Sequence, residues 1–128
     1  MKRELLAVLA VAVGLLMGSG PLLAHHSTAL YEKQHVTTLQ GTVTALEFIN
    51  PHVQIRFEVK DSQGNVEKWV GVCSPPNALR RAGWNRNSLK PGDQITVGGG
   101  RVKDGRTIIS VEKVVLSNGK ELPMRSLD

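Results

Sequence analysis

The stretch that decides the fold is Val53–Cys73, VQIRFEVKDSQGNVEKWVGVC. Val53, Ile55, Phe57 and Val59 alternate with Gln54, Arg56, Glu58 and Lys60. A period of two puts every apolar side chain on one face of a strand. Asp61-Ser62-Gln63-Gly64-Asn65 is turn chemistry, and Val66–Cys73 reads as the returning strand of a hairpin. Upstream, Leu39–Ile49 suits a strand, but its apolar phase shifts between Val43/Ala45 and Leu46/Phe48. A bulge or bend accounts for such a shift. Asn50-Pro51 interrupts the pattern, because proline offers no N–H to a ladder.

Downstream, Ser74-Pro75-Pro76 can start a short helix, with Ser74 as cap and Leu79 as core contact. Gly83 can end it. Leu89-Lys90-Pro91-Gly92-Asp93 turns into the strand Gln94–Val97. Gly98-Gly99-Gly100 lacks the setting of a phosphate loop and reads as a strongly bent strand or a close backbone approach. Asp104-Gly105 is a hairpin signal, Thr107–Leu116 the last strand, and Asn118-Gly119 a turn. The expected fold class is all-β: a small five-stranded OB-like barrel with one short helix between the third and fourth strands. An SH3-like or sandwich arrangement is the alternative.

The N-terminus has its own logic. Lys2 and Arg3 precede thirteen apolar or glycine residues, Leu5–Met17; Gly18–Pro21 breaks the run and Leu22-Leu23-Ala24 offers a cleavage site. This is the order of a secretory signal peptide over residues 1–24. The run is shorter than the roughly 20 apolar residues a spanning helix needs, so no stable membrane span is expected after cleavage. Residues 25–37 then read as a polar N-terminal arm and 38–128 as the barrel domain. Removing Lys2, Arg3 and Glu4 takes 16 basic and 11 acidic side chains to 14 and 10, and the net charge from +5 to +4. The expected location is periplasmic or secreted. The single cysteine, Cys73, cannot form an internal disulfide, and its apolar neighbours suggest burial.

All four histidines fall within residues 25–52. If cleavage follows Ala24, the free α-amino group and the imidazole of His25 can chelate one ion. A third nitrogen from His26, His35 or His52 would complete a set suited to Cu(II), with copper ahead of zinc. His52 is the best placed, at the entrance to the clear strand, with Asn50 as a residue that could orient it. His35 is the weakest of the four. The ordinary alternative is a frayed, solvated His-His terminus. Arg80, Arg81, Trp84 and Arg86 form a second candidate, a patch for an anionic ligand or a cell-envelope protein. A nucleic-acid role is not expected, since no aromatic interleaving supports base stacking. No catalytic constellation is visible, and the chain reads as a binding protein rather than an enzyme.

Taken together, Ala24-His25-His26-Ser27 with Tyr31, Gly41-Thr42-Val43-Thr44, Asn50-Pro51-His52, Trp69, Ser74–Leu79, Gly83-Trp84 and Leu89–Asp93 resemble the DUF6152 family of small exported bacterial proteins. The resemblance covers nearly all of the mature chain. It implies export and an OB-like barrel, and it implies no activity.

Overall fold

Residues 30–125 are described by a computed structural model. They form β1 (Tyr31–Glu47), β2 (Gln54–Lys60), β3 (Val66–Val72), α1 (Pro76–Arg81), β4 (Gln94–Val102), β5 (Ile108–Leu116) and β6 (Glu121–Leu122). The strands make one sheet in the order β3-β2-β1-β4-β5-β6, with a further pairing of β3 with β5. That last contact is parallel, Val70 with Ile108 through Val72 with Ser110, and it joins β1 to β5 in a closed circuit. The other pairings are antiparallel.

The alternating stretch is β2. Val53, Ile55 and Phe57 are fully buried, and Arg56 and Lys60 are exposed. Burying a side chain such as Phe57 contributes about 2–3 kcal/mol. Phe57 faces Trp69 across the hairpin, with ring centroids 6.5 Å apart. The turn is set by Asp61, whose carboxylate accepts from the backbone N–H groups of Gln63 and Asn65 and from the Asn65 side chain. These donors hold the Asp61 carboxyl below its ordinary range, the Asn65 amide most of all. The phase shift in β1 is a bulge at Thr44: Val43 pairs with Phe57 and Ala45 with Arg56.

Residues 31–37, expected to lie in a polar N-terminal arm, instead belong to β1, which begins at Tyr31. This stretch has no alternation to read, because this half of β1 pairs with β4 alone and Gln34, His35 and Val36 are all exposed. The helix is capped at Pro75, not Ser74, with no side-chain cap bond, although Pro76 opens it and Leu79 is buried as expected. A sixth, two-residue strand follows the Asn118-Gly119 turn and pairs with β5.

The glycine triplet lies inside β4, which runs through it to Val102. A Cβ on Gly99 would collide with the carbonyl oxygen of Ser110, and one on Gly100 would sit 2.5 Å from that of Glu32. Only glycine lets both neighbouring strands come this close. At Gly98 the nearest atom would be 3.6 Å away, an ordinary contact. Gly99→Ala should therefore cost about 3 kcal/mol through forced backbone displacement, whereas Gly98→Ala should cost less than about 1 kcal/mol. Thermal unfolding of the two variants checks this; equal Tm values would contradict the close-approach reading.

Candidate functional site

His52 stands where the β1–β2 loop meets the end of β3. The Asn50–Pro51 peptide before it is cis. Just beyond the β2–β3 ladder, the Val53 N–H donates to Ser74 O at 3.2 Å and the Cys73 N–H to Val53 O at 2.8 Å. The His52 ring adds a third bond, from Nδ1 to the carbonyl oxygen of Cys73 at 2.8 Å. A carbonyl only accepts, so Nδ1 carries the proton. In the neutral ring the lone pair is then on Nε2. A backbone carbonyl on one ring nitrogen is a common way of orienting a histidine whose other nitrogen binds a metal.

His52 is half-buried and lines a cavity of about 480 Å³. Leu30 and Tyr31, the first described residues, line the same cavity, with Cys73 and Ser74 beside His52. Cys73 is buried, as its neighbours suggested, and burial pushes its thiol pKa up to about 12. At pH 8 this leaves about a thousandfold less thiolate than an unperturbed thiol has. Cys73 should therefore resist iodoacetamide in the native protein and react readily in urea; equal rates would show that it is not protected.

The other candidate residues are spread out. His25 and His26 lie outside the described residues. His35 is exposed on β1 and does not line the His52 cavity. Asn50 is exposed and has no hydrogen bond to His52; the Cys73 carbonyl does the orienting that Asn50 was expected to do. No group of three His, Cys, Asp or Glu able to hold a metal ion occurs among the described residues. Any such site here needs donors from outside them.

In the basic patch, Arg80, Arg81 and Arg86 are exposed. The Arg80 guanidinium bonds the Asn77 side chain and sits 5.4 Å from the centre of the Phe48 ring. Trp84, expected in this patch, does not belong to it: it is 3% exposed, and its ring N–H donates to Pro123 O at 2.7 Å. It clasps the C-terminal segment to the core and presents no ring beside the arginines.

Glu32 and Glu112, two acidic residues that nothing in the sequence marks out, also line the His52 cavity. The glycine triplet opposite both was the only signal of the irregular pairing that puts them there. No described helix is long and apolar enough to cross a membrane.

Fold and cavity define a small β-rich protein with one oriented histidine at a concave surface. The chain matches the family of unknown function DUF6152 over residues 12–110 and belongs to that family. A comparison with curated proteins gives no match. Among solved structures, it is similar to one described as the crystal structure of a tRNA fluorescent labeling enzyme, at 25% identity and a TM-score of 0.44. That match covers 66% of this chain and 18% of the other.

The tautomer is directly testable. Nitrogen-15 shifts of the neutral His52 ring should show the proton on Nδ1. The opposite tautomer in the metal-free protein would remove the basis for a free Nε2.

Proposed function

We propose that the mature protein is an exported, non-enzymatic OB-like barrel that binds a copper ion through its new N-terminus and His52. The barrel reading rests on the closed circuit of β1 to β5 and the short helix between β3 and β4. Export rests on the signal-like pattern of residues 1–24.

The observation that carries the copper reading is the Nδ1 bond of His52 to Cys73 O, which leaves Nε2 with its lone pair beside the cavity. Leu30 lines that cavity, and His25 is five residues upstream. Five residues span at most about 17 Å, so the tether is long enough to bring the α-amine and His25 to His52. The α-amine, the two N-terminal imidazoles and Nε2 of His52 make an all-nitrogen donor set suited to Cu(II). Burial holds the Cys73 thiol protonated in the metal-free chain. The role would be metal handling or sensing in the periplasm or outside the cell.

A chain beginning at His25 should take up one equivalent of Cu(II) with a single visible band. His52→Ala, or one extra residue before His25, should each weaken binding by at least about tenfold and move the band to longer wavelength as a nitrogen donor is lost. Calorimetry and absorption titration check this. Unchanged affinity and spectrum in both variants would overturn the joint site. The second reading, an envelope or anionic-ligand patch, now rests on Arg80, Arg81 and Arg86 without Trp84.

A further inference from the structure

The cavity at His52 has a second property that the copper reading does not use. Its charged lining is acidic. Among the described residues that line it are Glu32 and Glu112, and no Lys or Arg. The chain as a whole carries +5. Neither carboxylate has an ion-pair partner among the described residues.

The backbone explains how the two carboxylates arrive together. Along β4, Gly98 pairs with Lys113 and Gly99 with Val111, which leaves Glu112 as the extra residue of a bulge in β5. On the other side of β4, the register between Tyr31–Val102 and Val36–Gly100 sets residues 32–35 of β1 against Arg101 alone, an irregular stretch that includes Glu32. Bulges re-aim side chains, and here two of them flank the same glycine run. Gly100 lines the cavity and permits the close approach of the Glu32 backbone. The irregular pairing on both sides of the triplet therefore brings two acidic residues into the lining of one concavity.

The rest of the wall is largely apolar, including Tyr31, Val72, Pro75 and Val111. About 480 Å³ is within the range of small-molecule sites. A pocket with an apolar wall, an aromatic residue and two acidic residues in its lining complements one chemical class: a small organic cation with an apolar tail. An anionic ligand would meet two like charges. A neutral one would gain nothing from either acidic residue.

We propose that this cavity is a binding site for a small alkylammonium compound, seated with its ammonium group toward Glu32 and Glu112. This does not depend on copper, and its test is run with metal-free protein in EDTA. The mature chain is titrated at low salt with n-hexylammonium, n-hexanol and n-hexanoate, followed by calorimetry and by amide shifts. Hexylammonium should bind and shift the amides of Tyr31, Gly100 and Val111, with affinity falling as salt rises. Hexanol should bind at least about tenfold more weakly, and hexanoate more weakly still. Glu32→Gln with Glu112→Gln should lose the preference for the cation while keeping the native amide spectrum elsewhere. Single Gln variants separate the two contributions if the double variant unfolds. Equal binding of hexanol, unchanged hexylammonium affinity in the folded variants, or no binding up to about 10 mM would overturn the proposal.

Discussion

The contact on which the rest depends is the parallel pairing of β3 with β5. Three residue pairs, Val70–Ile108, Gly71–Ile109 and Val72–Ser110, join strands far apart in sequence. Without them the strand order would be an open row with β3 at one edge. With them, the buried faces of β2, β3, β4 and β5 enclose one core that includes Val53, Ile55, Phe57, Val97, Ile109 and Val114. Gly71 suits the contact, since a Cβ there would lie 2.8 Å from a Val111 methyl, which would have to shift. The Thr107 hydroxyl reinforces the junction by donating to Lys68 O at 2.7 Å, and the Val70 N–H donates to Thr107 O at 3.0 Å. The same junction places Ser110 and Val111 beside Val72, Cys73 and Ser74, along one wall of the His52 cavity.

How much of this was legible follows from what each residue has to satisfy. Strand β2 was readable because one face is buried and the other solvated, so the pattern of two is imposed on the sequence, whereas β3 alternates only from Trp69 onward and was placed by the Asp61–Asn65 turn before it. The bulge at Thr44 was readable for the same reason: an extra residue exchanges the two faces, and the apolar phase records it. The first half of β1 left no such record. Consecutive residues there meet solvent, and the backbone alone makes the strand. The β3–β5 pairing left no record either, since a register between distant strands depends on how both twist rather than on either sequence alone.

The site was legible in part. His52 was singled out from its place after Asn50-Pro51, and it does line a cavity. Its orienting partner was not readable, because a backbone carbonyl has no residue signature; Asn50, the neighbour with suitable chemistry, makes no bond to it. Trp84 illustrates the opposite failure. A tryptophan among arginines resembles a surface platform, but its area is large enough that burial decides its place. Glu32 and Glu112 look like ordinary solvated strand carboxylates in the sequence. Irregular pairing opposite three glycines gives them a shared address.

The two tryptophans are both buried, yet they sit in different electrical surroundings. Trp69 has its N–H 3.1 Å from the Glu67 carboxylate and the Arg101 guanidinium 4.7 Å from its ring centre. Trp84 is bonded to an uncharged backbone oxygen of the C-terminal segment. Their fluorescence therefore carries two separate signals. Trp69 emission reads the charge balance where the β2–β3 hairpin meets β4, and Trp84 emission reads whether the chain end is still fastened. A protein with two indoles and one tyrosine thus contains a pair of native optical probes, one at each seam, without any label.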